Sequence, residues 1–390
     1  MKALKYVVLA VLGVALLRMA IIHFVPPVID KRFNSTLVQA PYKASLKAEK
    51  IYQDLSFIAD MHSDSLLWQR DLLQLHQHGH QDIPRMIEAN QALQVFTIVS
   101  KVPKNKNFDR NPSDTDSLTL PFILFGRPFE SWFDLTERAK VQADQLHLTA
   151  KQSNGQFSVI TNRTQLKRYI SERNNNRAQT AGLLGVEGAH VLAGQLGNID
   201  VLYDAGIRMV GLAHFFDNEV GGSAHGLEKY GLTEFGISAL KKMEDKGMFI
   251  DLSHASPALF ADVIKYASKP VVVSHTGVKG TCDNNRNLSD NQLKQVAESG
   301  GLVSIAFFET ALCGNSVQDA AAAIKYTADL IGVEHVALGS DFDGAIKALF
   351  EVRGLVTLVD ALLELGMDKR DIELIFGENM KDFLINNLPN

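Results

Sequence analysis

Several stretches of this chain deliver imidazoles and carboxylates at the ends of apolar runs. In Phe57–Leu67, read FIADMHSDSLL, Ile58 and Ala59 give way to Asp60, His62 and Asp64 at alternate positions. Side chains two apart on a strand share a face, so an imidazole and a carboxylate emerge side by side, a mixture that binds borderline divalent metals such as zinc. Later apolar runs end the same way, in Glu187, His214, His254, His275 and Asp341. Any one of these histidines alone would read as a satisfied core residue. Burying all of these groups together is costly unless they are paired or bound to a cation, so the set predicts a metal centre, and a dinuclear one would neutralise it. The HQHGH run with His76, His78 and His80 reads as solvated or supporting, and His190 and His225 as support residues.

The elements that must position these groups follow from the same runs. Ser56–Met61, Gln94–Ser100, Ala181–Val186, Arg208–Ala213, Met248–Leu252, Pro270–Ser274, Leu302–Phe307 and His335–Gly339 are nearly continuous in apolar residues, as in strands of a parallel sheet buried on both faces. Helical patterns such as Leu288–Ser299, Ser316–Ile331 and Gly354–Leu365 alternate with them, which indicates βαβ units. The pattern predicts an α/β fold, a (β/α)8 TIM-type barrel, whose site lies at the carboxyl ends of the strands. An open doubly wound sheet is the rival, but no Gly-x-Gly-x-x-Gly follows the first strand. The longest interruption, Lys101–Thr180, begins as a polar loop, continues as a long helix over Glu130–Lys151 and includes a turn at Glu172–Arg177.

With 390 residues and 46% hydrophobic composition the chain can bury a large core, and a net charge of −5 without a Lys/Arg cluster argues against nucleic acid. Lys2 and Lys5 precede an apolar run from Tyr6 to Leu17 that resumes after Arg18. A basic start and a run of this length fit an export signal, and with Arg18 included the segment is long enough to cross a bilayer. The expected organisation is a signal anchor or signal peptide over 1–25, a linker and leading helix over 26–50 and a barrel over 51–390. An uncleaved anchor is favoured, with the body exported to the periplasm or extracellular side. Cys282 and Cys313 fit neither a disulfide framework nor a cysteine zinc site; they could pair in an oxidising compartment, but two buried free thiols are the favoured expectation.

The motifs DMHSD, GVEGAH, GLAHFFDNEVGGSAHG, IDLSHAS, VVSHTG followed by NRN, and GSDFDG occur in order between Asp54 and Leu384. Together they resemble the membrane (renal-type) dipeptidase family of zinc peptidases, and GHQDIPR, GLTEFG and GENM fit it as well. The resemblance implies two zinc ions, with His62 and Asp64 on one, His254 and His275 on the other, and Glu187 bridging. It also implies Asp341 as the acid/base residue, His214 as the contact to the developing oxyanion and Arg286 as receptor of the substrate carboxylate. The implied substrates are small dipeptides, including those with a carboxy-terminal D-residue; a homodimer is left open. Asn285 stands where some relatives carry a second basic residue, and Asp251 reads equally as an orienting carboxylate or as one paired with backbone amides. The strand-end ligands alone would also permit another metal-dependent amidohydrolase, such as an N-acyl amino acid deacylase. A non-catalytic anchored binding protein is disfavoured because each matched position is chemically competent.

Overall fold

The structure, a computed structural model, describes residues 2–390. Eight parallel strands form its centre: β1 Ile58–Ser63, β2 Gln91–Val99, β3 Thr180–Glu187, β4 Ile207–Gly211, β5 Phe249–Asp251, β6 Val272–Thr276, β7 Leu302–Ile305 and β8 Val336–Leu338. They pair in the order β2-β1-β8-β7-β6-β5-β4-β3, and β3 returns to β2 to close the barrel. Each falls within a residue or a few of a predicted strand. Apolar residues alternate between two buried layers. Ala59, Met61, Leu93, Val95, Leu183, Met209, Phe249 and Val272 fill the barrel interior. Ile58, Phe96, Ile98, Leu184, Val210, Ile250 and Val273 meet the surrounding helices. Burial on both faces is why the runs lack polar alternation.

The interruption between β2 and β3 departs from the expectation. Its long helix spans Leu135–Gln152, N-capped by Asp134, with a separate 3-10 turn at Phe129–Trp132. A short strand, Phe157–Val159, pairs with Thr180–Gly182, taking an edge of β3 that β4 reaches only from Leu184. Helix Arg163–Asn175 absorbs most of the expected turn at Glu172–Arg177. Arg173 holds that last helical turn by donating to the backbone oxygen of Asn90 at 2.8 Å.

Two further expectations are corrected. The linker expected from residue 26 is helical: one helix runs Lys2–Phe33 through Pro26 and Pro27. Proline removes a backbone donor and strains an interior turn, but here the following turn is tied down by its own side chains. Asp30 is 1% exposed and Asn34 2%, and Asn34 Nδ2 donates to Asp30 Oδ1 at 2.7 Å. Beyond it, Ser35–Thr36 pairs in parallel with Lys347–Ala348. The cysteines are not free thiols: Cys282 and Cys313 form a disulfide, with their Cα atoms 5.3 Å apart. The loops that carry them are drawn together by Asn284 Nδ2 on Thr310 O at 2.7 Å and Asn287 Nδ2 on Ala311 O at 2.8 Å. These contacts leave no trace in cysteine spacing.

Candidate active site

Strand alternation brings Glu187 into the barrel mouth, because it continues the inward series Ala181, Leu183, Gly185 on β3. His62 and His275 would by the same rule share the outward side of Ile58 and Val273. A register irregularity in β1 between Asp60 and Ser63, and another in β6 between Val273 and Thr276, turn both imidazoles inward. Irregularities of this kind re-aim side chains beside functional sites. His254 and Asp341 leave their strands with φ of 62° and 61°, a region non-glycine residues rarely adopt and which functional sites tolerate.

The mouth thus gathers every strand-end group predicted from the sequence. Glu187 Oε1 lies 3.1 Å from His254 Nε2, 3.4 Å from His275 Nε2 and 3.7 Å from His62 Nε2, and its Oε2 lies 3.1 Å from His214 Nε2. His62 Nε2 is also 3.5 Å from Asp64 Oδ1 and 3.9 Å from Asp341 Oδ1. All are buried. His254 Nε2 and His275 Nε2 face each other at 3.0 Å. Among the described residues His62 Nε2 has no hydrogen-bond partner despite full burial. Two ligand groups share Glu187: one with His254 and His275, the other with His62 and Asp64. Converging nitrogen and oxygen donors, with a buried nitrogen left without a partner, fit a divalent cation.

A third cluster, His62, Asp251 and His275, has ligand-like spacing, but a hydroxyl occupies its centre. Ser274 Oγ lies 2.6 Å from Asp251 Oδ2, 2.9 Å from His62 Nδ1 and 3.0 Å from His275 Nδ1. A serine hydroxyl donates once and accepts twice. Donation to Asp251 therefore leaves its lone pairs to receive Nδ1–H from both imidazoles, so that Nε2 is the ring nitrogen each presents toward Glu187 and a cation. Asp251 Oδ1 accepts from the backbone N–H groups of Ser253 and Ser274 at 3.0 and 2.9 Å. Both readings left open for Asp251 therefore hold. Ser274 was missed from the sequence; its one signal is its place two residues after the inward-facing Val272.

The electrostatics follow from crowding. Burial opposes protonation of His62, but Asp64, Glu187 and Asp341 outweigh it and lift its pKa to about 10. Burial, reinforced by Asp64, holds Glu187 well above the usual carboxylate range, and burial raises Asp341 to about 7. Burial, together with neighbouring cationic groups, holds His214, His254 and His275 well below the ordinary value.

Around this centre, Arg286 is buried, donates through Nη2 to His275 O at 2.8 Å, and has an Nε with no partner among the described residues. A cleft of about 520 Å3 opens beside His254 and Arg286, with Lys229 and Lys279 on its wall. His225 Nδ1 meets Phe108 O at 2.7 Å, and Lys106 Nζ lies 4.8 Å from the Phe215 ring centre, so the polar loop after β2 reaches across to the mouth. His190 bonds Ser100 Oγ at 2.9 Å, a supporting place. Asp60 is also structural: Oδ1 accepts from His62 N and Oδ2 from Ser340 N, both at 2.9 Å. His80 and Asp343 exchange backbone and side-chain bonds, with His80 N on Asp343 Oδ1 at 2.8 Å and Asp343 N on His80 Nδ1 at 2.7 Å.

A (β/α)8 barrel with this donor set at its carboxyl mouth has the architecture of a metal-dependent hydrolase. The family model described as membrane dipeptidase (peptidase family M19) matches residues 46–382. The chain belongs to that family and is a metallo-dipeptidase by class. It is 28% identical over 349 residues to the dipeptidase aclJ of Aspergillus oryzae, covering 83% of this chain and 76% of that one. Among solved structures, a metallo-peptidase of family M19 named dipeptidase AC superposes with a TM-score of 0.72 at 23% identity, over 85% of this chain and 99% of that chain. A metallo-peptidase from Rhodobacter sphaeroides, liganded with a phosphinate mimic of the dipeptide L-Ala-D-Ala, gives 0.69 at 24% identity over the same shares. Both establish the fold.

Proposed function

We propose that this protein hydrolyses the peptide bond of dipeptides at a dinuclear zinc centre held by His62, Asp64, Glu187, His254 and His275. The observation that carries this reading is the position of Glu187, whose single carboxylate is shared by two buried ligand groups. Bound there, two divalent cations supply Lewis-acid activation of a water and of the peptide carbonyl. The chain's own groups do the rest. Arg286, fixed by His275 O and with Nε free, receives the substrate's terminal carboxylate as a fork, and its nearness to the cluster limits the substrate to two residues. Asp341, its pKa raised to about 7 by burial, exchanges a proton near neutral pH and passes it to the leaving amine. His214, kept neutral by burial, presents an N–H toward the developing oxyanion. The L-Ala-D-Ala mimic bound by the Rhodobacter sphaeroides relative supports dipeptides with a carboxy-terminal D-residue as substrates here too.

We place the body outside the cytoplasm, tethered by the amino-terminal helix, whose Leu4–Phe33 portion is long and apolar enough to cross a membrane. The disulfide agrees with an oxidising compartment. The test uses the full chain in detergent, zinc-loaded and chelated, against L,L and L,D dipeptides, a tripeptide and an N-acetyl amino acid. Zinc-dependent cleavage restricted to dipeptides, abolished in Asp341→Asn with zinc retained, is the expected result. Cleavage of the N-acetyl compound alone would overturn it in favour of an amidohydrolase.

A further inference from the structure

The anchor helix does not end in solvent. Its last turns enter the barrel mouth from outside, and Asp30 Oδ2 meets Arg70 Nε at 2.8 Å, with both side chains buried. Arg70 Nη2 in turn pairs with Asp343 Oδ2, and Nη1 donates to Gln81 O at 3.0 Å. His78 Nε2 approaches the same Asp30 oxygen at 3.3 Å. One turn later Asn34 Oδ1 accepts the backbone N–H of Ala345 at 3.0 Å, and Ser35 O meets His80 Nε2 at 2.9 Å.

Through Arg70, Asn34 and His80, most of these contacts lead to one loop, Asp341–Ala345. That loop has three non-glycine residues in the left-handed region, Asp341, Asp343 and Ala345, with φ of 61°, 63° and 56°. A backbone of this kind persists only where its surroundings over-determine it. From within the barrel, Ser65 Oγ donates to Asp343 Oδ2 and Trp68 Nε1 to Asp343 O, each at 2.6 Å. His80 adds two bonds to Asp343, and Asp64 N donates to Phe342 O; to these the anchor helix adds Asp30 through Arg70 on Asp343, and Asn34 on Ala345. Without the Asp30 carboxylate, the buried Arg70 guanidinium would lose the charge that holds its Nε edge. It would then be free to re-aim toward Asp343 and tilt the loop.

We propose that Asp30, near the end of the anchor helix, is a positioning residue for Asp341, acting through Arg70 and Asp343. The anchor is thereby part of the support of the active site as well as a tether. This rests on the assignment of Asp341 as proton donor, but the loop geometry is independent of that assignment.

The experiment compares full-length wild type with Asp30→Asn, Asp343→Asn and the double variant, in detergent and zinc-loaded. Lys31→Ala, an exposed neighbour on the same helix, is the control. Asp30→Asn is expected to lower kcat by about threefold to thirtyfold, the range of coupling through an intermediate network, with KM and zinc content unchanged and the pH profile of kcat displaced. In the Asp343→Asn background the Asp30→Asn change is expected to have no added effect. Hydrogen exchange of the peptide spanning Ser340–Ala348 is read in parallel and is expected to quicken in Asp30→Asn but not in Lys31→Ala. Unaltered exchange there, or kcat losses that simply multiply in the double variant, would overturn the proposal. A wild type inactive on dipeptides would refute the functional assignment alone, since the exchange readout decides the positioning role without substrate.

Discussion

Replacing Ser274 by alanine isolates what its hydroxyl does. In the wild type that oxygen accepts from His62 Nδ1 and His275 Nδ1 and donates to Asp251. The metal-ready state needs the proton of both rings on Nδ1, because Nε2 must offer its lone pair. Without the hydroxyl, a metal-free protein can move the His275 proton to Nε2, whereas a loaded one cannot and must bury an unmet donor; His62, protonated on both nitrogens without metal, loses its Nδ1 partner in either state and adds no difference. Each unmet buried donor costs ~1–3 kcal/mol. Taking ~1.4 kcal/mol for the His275 ring gives about tenfold weaker binding, at the lower end of the range seen when partners behind metal ligands are removed. Zinc occupancy after dialysis against chelator-buffered zinc reads this directly. Ser253→Ala serves as comparison, since Ser253 Oγ bonds Asp251 but neither ring. If Ser274→Ala holds zinc within about twofold of wild type, the tautomer argument is wrong.

Three other outcomes are expected. Reducing the Cys282–Cys313 bond, which closes a loop of 31 residues, removes ~3–4 kcal/mol of chain-entropy stabilisation; thermal unfolding with reductant should show Tm lower by about 5 °C for a domain of this size. Arg286→Lys, which replaces a fork by a point charge, should raise KM for dipeptides about tenfold or more and change kcat less, as steady-state kinetics would show. The pKa of Asp343 falls from 3.8 to about 2: burial opposes ionisation, and Arg70 and His80 more than offset it. A depressed carboxylate stabilises the fold above its unfolded pKa and loses that contribution as pH falls through the folded one. The advantage of wild type over Asp343→Asn, ~2 kcal/mol at neutral pH, should therefore shrink between about pH 4 and pH 2 in denaturant titrations.

The barrel was legible because burial on both faces leaves an unbroken apolar run for each strand, and Val95, Leu183 or Val273 could hardly be placed elsewhere. The convergence of polar groups at the mouth was legible because Glu187, His254, His275 and Asp341 stand at the ends of those runs. The inward turn of His62 and His275 was not, since it depends on register irregularities that pairing creates and local sequence does not encode. Ser274 escaped notice because a serine beside a histidine carries no signal until the neighbouring strand supplies Asp251. The disulfide and the helical path through Pro26–Pro27 were misread for a related reason. Both depend on contacts between distant segments, Asn284 with Thr310 in one case and Asp30 with Arg70 in the other.

The pairing of Ser35–Thr36 with Lys347–Ala348 bears on the order in which the molecule assembles. A contact between Asn34 and Ala345 spans 311 positions, and non-local contacts of this kind form slowly because the intervening chain must first lose its freedom. Synthesis delivers the helix before the Asp341 loop. The helix must therefore wait, already in place, for a segment made much later. Until that meeting the barrel can be largely folded with its mouth unfinished, so competence to react is acquired at the end of folding.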